Sequence, residues 1–261
     1  MADARRIAVL VKSVPSGGES LRVTPAGLSR EGVTHAIDPL NEVGIEWALR
    51  QRELGTCDHV VAVLMGPPDA GEALRRALSM GADDALHVSD PALTGADVRM
   101  TARVLAAAVQ RTRADVVVCG YESLDGSSGT VPAALAAALD WPLISRAKTA
   151  AFDGDHLQAT CDRGRGPELW RTSGPAVLSL VDGDILPRYP KVGDMLRTRS
   201  RVIPVLGVIE LHPGWVPPTS RERVIGLETV PVPSRNPRIA RDADALAATL
   251  ELVAAAGAAD A

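Results

Sequence analysis

Asp115-Val116-Val117-Val118-Cys119-Gly120-Tyr121-Glu122-Ser123-Leu124-Asp125-Gly126-Ser127-Ser128-Gly129-Thr130-Val131-Pro132-Ala133-Ala134-Leu135-Ala136-Ala137-Ala138-Leu139 decides the fold class of this 261-residue chain. The apolar run Asp115–Val118 reads as a buried parallel strand, and the alanine-rich end reads as a helix. Between them lies a run of small polar residues. Strand, polar loop and helix start together make an anion site in α/β proteins, because free N–H groups and the positive end of the helix dipole converge there. Gly126 and Gly129 let the backbone approach a ligand, and Ser127, Ser128 and Thr130 add hydroxyl donors. The same composition also suits an ordinary surface loop, so the loop alone leaves both readings open.

Outward from this segment, strand and helix patterns alternate through the first half of the chain. Ile7–Val11 reads as a strand, followed by a polar loop rich in Gly and Pro and then a helix over Pro39–Leu54. Asp38-Pro39 opens that helix well, since Asp caps it and Pro at the first position gives up only an N–H that would go unpaired. Val60–Leu64 is the next strand. A helix then runs to Met80, with Gly81 placed for a left-handed cap. Asp84–Val88 reads as a strand and Asp97–Arg111 as a helix. Helices between strands imply crossover connections and a parallel sheet.

After Trp141-Pro142 the texture changes. Lys148–Phe152, His156–Cys161, Glu168–Thr172 and Ala176–Val181 predict short strands of an antiparallel meander. Arg188 to Arg201 is basic. From His212 the chain is rich in Pro and Arg, until a helical tail over Asp242–Ala255. Such a segment buries no core of its own and is expected to lie along another surface.

Composition excludes several classes. The net charge of −4, with no basic stripe, argues against nucleic-acid binding. Cys57, Cys119 and Cys161 have no Cys-x-x-Cys spacing, which predicts a reduced, cytoplasmic protein without a structural metal. No apolar run suits a secretory leader or a membrane span, so membrane insertion is not expected. His35, His59, His87, His156 and His212 show no metal-ligand spacing. A Walker-type loop, a dinucleotide Gly-x-Gly-x-x-Gly after the first strand, and a Gly-x-Ser-x-Gly elbow are all missing. Ser16-Gly17-Gly18-Glu19-Ser20 is similar to the loop of ATP-dependent adenylating enzymes but is one residue short. No lysine is placed in the 120–132 loop as phosphoryl transfer requires.

A series of markers in fixed order carries a family resemblance. They are Val11-Lys12-Ser13-Val14-Pro15, then Ile37-Asp38-Pro39-Leu40-Asn41-Glu42 leading into Ile45-Glu46-Trp47-Ala48-Leu49-Arg50. Gly66-Pro67 follows, then Leu74 to Asp83, Gly120 to Val131, and Pro187-Arg188-Tyr189-Pro190 before Met195. In these the chain resembles the beta subunit of an electron-transferring flavoprotein, over Ile7 to about Arg199. The resemblance implies a doubly wound, mainly parallel sheet of the adenine-nucleotide alpha-hydrolase-like (Rossmann-like) type, with an antiparallel portion and an extended C-terminal arm. It implies a nucleotide-binding domain over residues 1–205, a docking loop at 182–197, and an arm over 206–261 that packs on a partner subunit.

The resemblance further implies a heterodimer with an alpha subunit that holds the redox FAD, AMP or a second FAD in this chain, and a flavin-linked dehydrogenase as electron donor. It implies an electron carrier without bond-making chemistry of its own. Carried over residue by residue, the nucleotide contacts fall on Leu10, Asp38, Leu40, Asn41, Met65, Gly120, Ser123, Asp125, Gly126, Ser127, Ser128, Gly129, Thr130 and Val131. Partner contacts fall on Asp162, Arg188, Tyr189, Val192 and Met195. The chain departs from the family pattern with Glu122 in place of an amide and Asp38 in place of Asn. These carboxylates are expected to face ribose or adenine and not phosphate. A stand-alone adenine-nucleotide sensor resembling universal stress proteins is the alternative, but it would need only the first 140 residues or so.

Overall fold

The computed structural model describes residues 5–16, 22–24, 27–29, 32–162, 164, 166–214, 220–222, 225–226 and 242–259. Residues 17–20 of the serine–glycine loop, and 215–219, 223–224 and 227–241 of the Pro/Arg-rich stretch, lie outside the described residues. The chain forms two compact units, Met1–Ile225 and Gly226–Ala261.

In chain order the first unit opens with β1 (Arg6–Val11), β2 (Ser13–Pro15), β3 (Arg22–Thr24), β4 (Gly27–Ser29) and β5 (His35–Ile37). It continues with α1 (Pro39–Glu53), β6 (His59–Met65), α2 (Gly71–Met80), β7 (Asp84–Val88), α3 (Val98–Thr112), β8 (Val116–Gly120) and α4 (Val131–Leu139). Then come β9 (Leu143–Asp153), β10 (His156–Asp162), β11 (Pro167–Ser173), β12 (Ala176–Leu180), α5 (Val192–Arg199), β13 (Val205–Leu206) and α6 (Val208–Leu211). The second unit contributes α7 (Ala243–Ala259).

Nine strands form one sheet in the order β11-β10-β9-β12-β8-β1-β6-β7-β13. β1 lies between β6 and β8, parallel to both, with Val9 beside Ala62 on one side and Val118 on the other. Alternation along β1 divides the core into two layers. Ile7 and Val9 face the layer with Trp47 and Leu49 of α1 and Leu74 of α2. Ala8 and Leu10 face the layer with Val104 and Leu105 of α3 and Leu135 of α4. Helices on both faces make the sheet doubly wound, as the alternating strand and helix patterns predict.

The second half departs from the expected meander at one strand. β9, β10 and β11 pair antiparallel, but β12 runs parallel to both β8 and β9 and sits between them. All five residues of β12 are buried, which suits a strand covered on both faces; a meander strand would have one wet face. Two short ladders also form within the Gly/Pro-rich stretch after β1: β2 with β5, and β3 with β4. Past α5, β13 adds to the sheet beside β7, and Val208 and Leu211 of α6 are buried in the layer with α3.

Chain connections run from β1 outward through β6 to β7, then return to place β8 on the other side of β1. The β1–β8 boundary is therefore a topological switch point. The crevice beyond the carboxyl ends of the strands at such a point is where open α/β sheets take ligands.

Candidate functional site

A cavity of about 960 Å³ opens at that crevice. Its walls come from the ends of β1 (Leu10, Val11, Lys12), β6 (Met65) and β8 (Cys119, Gly120), and from the loop after β8. Leu10, Met65, Leu93 and Leu105 contribute apolar lining, and Asn41, Ser123, Ser128 and Gly129 polar lining. An apolar body with a few convergent polar groups is the usual make-up of a small-molecule site. Val131, the first residue of α4, also lines it, so the cavity reaches a helix start whose early N–H groups have no helical partner.

Two glycines are required by the local geometry. A Cβ on Gly120 would lie 2.8 Å from Leu40 Cβ and 3.3 Å from Asn41 Nδ2, so the end of β8 touches the start of α1. Gly129 has φ of 59°, and a Cβ there would meet the Tyr121 ring at 2.9 Å. Ser127 adopts φ of 42°, a conformation rare outside glycine. Its N–H donates to Ser123 O at 2.9 Å, closing the turn.

Most of the expected cofactor residues converge here. Leu10, Asn41, Met65, Gly120, Ser123, Ser128, Gly129 and Val131 line the cavity; Asp38, Leu40, Asp125, Gly126, Ser127 and Thr130 are not in its lining, and of these Gly126, Ser127 and Thr130 are exposed. Asp38 is buried and caps α1: Oδ1 accepts from Leu40 N–H at 2.9 Å, and Oδ2 accepts from Leu124 N–H at 2.8 Å. One carboxylate thus ties the start of α1 to the loop after β8, and backbone groups occupy the oxygens expected to face ribose. The hydroxyls of Ser127 and Thr130 likewise donate within the loop, to Ser123 O at 3.2 Å and Ser128 O at 2.9 Å. Glu122 lines the cavity, as does Asp69.

Lys12 is not among the expected site residues; the 120–132 loop has no lysine of its own, and the fold brings one to it from the end of β1. Its Nζ donates to Asp125 Oδ1 at 2.5 Å and to Ser123 Oγ at 3.0 Å. The signal available in the sequence was its position one residue past an apolar strand, at the carboxyl end where ligand crevices form. Tyr121, also outside the expected set, lines the cavity. The Arg146 guanidinium stacks 4.4 Å from the Tyr121 ring centroid, and Arg146 has φ of 60° where the β9–β12 register shifts. Burial pushes the Cys119 thiol up to about 12, so this cavity-lining sulfur stays protonated at neutral pH.

The expected partner residues lie apart from the cavity. Arg188 folds back on α1: its Nε donates to Glu46 Oε2 at 2.7 Å, and one terminal nitrogen donates to Glu53 Oε1 at 2.6 Å. Arg50 Nε also donates to Glu46, at 2.7 Å. Burial alone would raise the Glu46 carboxyl, but hydrogen bonds from Arg188 and Arg50 outweigh it and hold the group below the usual range. Tyr189, Val192 and Met195 are exposed, with Val192 opening α5. Asp162 lies at the end of β10, where it accepts from Gly164 N–H at 3.0 Å and Lys148 Nζ at 2.9 Å. Among the described residues no helix is long and apolar enough to cross a membrane, and no cluster of His, Cys, Asp and Glu could hold a metal ion.

Comparison with known proteins gives the family. Residues 26–201 match the electron transfer flavoprotein domain. The electron transfer flavoprotein subunit beta of Thermoanaerobacterium thermosaccharolyticum is 36% identical over 188 residues, 71% of this chain and 72% of that protein. The subunit beta of Mycobacterium tuberculosis is 32% identical over 212 residues, 78% of this chain and 80% of its own length. The pig protein of the same name, from Sus scrofa, is 31% identical over 235 residues, 88% of this chain and 91% of its own. With residues 26–201 matched by the family and relatives above 30% identity covering more than two thirds of it, the chain belongs to the electron transfer flavoprotein beta-subunit family.

Proposed function

We propose that this chain is one half of a heterodimer whose alpha subunit carries the redox FAD, and that its own cavity holds AMP, or the AMP half of a second FAD, as a static ligand. The observation that carries the reading is the cavity at the β1–β8 switch point, with apolar lining and with loop and helix-start donors. Leu10 and Met65 suit the faces of an adenine ring, which binds through apolar contact. The Asn41 carboxamide oxygen accepts from Lys12 N–H at 2.7 Å, which leaves its Nδ2 as a donor beside Gly120. The loop around Ser128 and Gly129, with the start of α4, suits a phosphate. When bound, the alpha-subunit FAD supplies the electron chemistry; the residues of this chain bind and orient.

The docking role is assigned to the segment around α5. Tyr189 just before α5, and Val192, Met195 and Leu196 on it, present apolar surface, which fits a flavin-linked dehydrogenase as transient partner. The family match extends through β9–β12 and α5, elements that a stand-alone nucleotide sensor would leave without a role.

Co-expression with its alpha subunit, followed by denaturation and nucleotide analysis, tests the reading. One FAD plus one AMP per heterodimer, or two FAD, is expected, with no consumption of added ATP. A single FAD and no further adenine ligand, with no thermal shift on adding AMP or FAD, would overturn it.

A further inference from the structure

We infer that Lys12 is the phosphate-recognition residue of the cavity, held at a fixed bearing by Asp125 so that one ammonium N–H remains for the ligand. This rests on the nucleotide reading above. The backbone of Lys12 is fixed on both sides by the start of α1: its N–H donates to Asn41 Oδ1 at 2.7 Å, and its carbonyl accepts from Asp38 N–H at 2.9 Å. The side chain then crosses from β1 to the loop after β8. There Nζ meets Asp125 Oδ1 at 2.5 Å and Ser123 Oγ at 3.0 Å, and would lie 3.7 Å from a Cβ on Gly126.

An ammonium has three donors. Two are engaged among the described residues, yet the Lys12 side chain is 44% exposed while that of Asp125 is only 2% exposed. The carboxylate is thus withdrawn from solvent while the lysine side chain stays accessible, and Lys12 lines the same cavity as Ser128 and Gly129.

Charge supports the assignment. Asp69 and Glu122 are carboxylates in the cavity wall, and among its described lining residues Lys12 is the lysine or arginine that opposes them. A phosphate entering beside two carboxylates with only N–H groups to meet it would be repelled. An ammonium directed at it reverses the local sign. A Lys12 ammonium already paired with Asp125 acts over the length of a hydrogen bond. It acts on the phosphate and not on the base.

Binding of AMP and of adenosine to the full chain, co-expressed with its alpha subunit and stripped of nucleotide, separates this from a structural role. Lys12→Met is expected to weaken AMP about tenfold or more, the range for a charge-assisted hydrogen bond, and to leave adenosine within about twofold. Lys12→Arg should restore most of the loss. Should Lys12→Met not fold, Lys12→Gln keeps a donor for Asp125 while deleting the charge, and should show the same AMP-specific loss. Equal weakening of AMP and adenosine, or an unchanged ratio in the variants, overturns the role of Lys12. A wild-type protein that binds neither ligand overturns the nucleotide reading itself, and this inference with it.

Discussion

The loop after β8 and the segment around α5 are both exposed at the protein surface, yet they are anchored by opposite means. The loop is fixed from beneath by groups withdrawn from water: Asp38 is 1% and Asn41 6% exposed. Helix α5 has no buried residue. It is held at its C-terminal end by Arg75, whose guanidinium donates to the carbonyls of Thr198, Arg199 and Arg201 at 3.0–3.1 Å. The chain leading into it is held by Arg188 on Glu46. The first arrangement sets a binding geometry before a ligand arrives, which lowers the ordering cost of binding. The second leaves Tyr189 and Val192, 89% and 73% exposed, on a segment tethered by arginines, with Ile185 before it and Ile203 after it packed on the core. A static ligand suits the first and a transient partner the second.

The comparison is broken most directly at Asp38. Asp38→Ala removes a helix cap and leaves the Leu124 N–H without its acceptor, so about 2–4 kcal/mol of stability should be lost. Urea unfolding measures it. A cost below about 0.5 kcal/mol, the level of an ordinary surface change, would mean that the loop is not anchored from beneath. Gly120→Ala comes next. Its Cβ would press on Leu40 Cβ at 2.8 Å, and overpacking of that kind costs about 1–3 kcal/mol. Its effect on AMP binding should exceed its effect on stability, because the displaced start of α1 carries Asn41.

The two regions were unequally legible in the sequence, for a physical reason. β1, β6, β7, β8 and the helices between them announce themselves by period and capping, since each signal is local: Asp38-Pro39 at a helix start, Gly81 at a helix end. The loop after β8 was readable on the same grounds. Nothing local reports that Lys12 crosses to Asp125, a contact between residues 113 positions apart that exists only because β1 and β8 are neighbours. The same holds for Glu46, whose place on α1 looks like half of an ordinary Glu46/Arg50 surface pair until Arg188 is laid over it. β12 was misplaced because its chain neighbours β10 and β11 form a hairpin. Its unbroken burial, the mark of a central parallel strand, outweighed adjacency in the chain.

Glu46 tests the other side of the comparison. Glu46→Gln should cost about 1–2 kcal/mol at neutral pH; Arg188 is partly exposed, which discounts the pair from the larger figures of fully buried ones. Hydrogen exchange should quicken over residues 186–199 and stay unchanged over 120–131. The pH dependence has a defined sign. A carboxyl held below its ordinary value of 4.5 contributes stability that is intact above that pH and lost as the pH falls through the folded-state value. The acid limb of the wild-type stability curve below pH 4.5 should therefore be shallower in Glu46→Gln.

The smallest effect on stability is expected at Val192, where the largest effect on docking is expected. Its side chain is 73% exposed and touches no core, so removing it forfeits little burial. It is also the first residue of α5, where a negative charge interacts favourably with the helix dipole. Val192→Asp should therefore leave unfolding free energy within about 0.5 kcal/mol of wild type, or raise it slightly. The same change puts a charge into the surface assigned to the dehydrogenase, where desolvation opposes association. Reduction of the heterodimer's flavin by the dehydrogenase should slow at subsaturating protein, while AMP affinity stays at the wild-type value. Loss of stability in Val192→Asp would show that α5 is anchored through its apolar residues after all, and the contrast between the two regions would fail. An unchanged rate of flavin reduction would remove Val192 from the docking surface and leave the anchoring contrast standing.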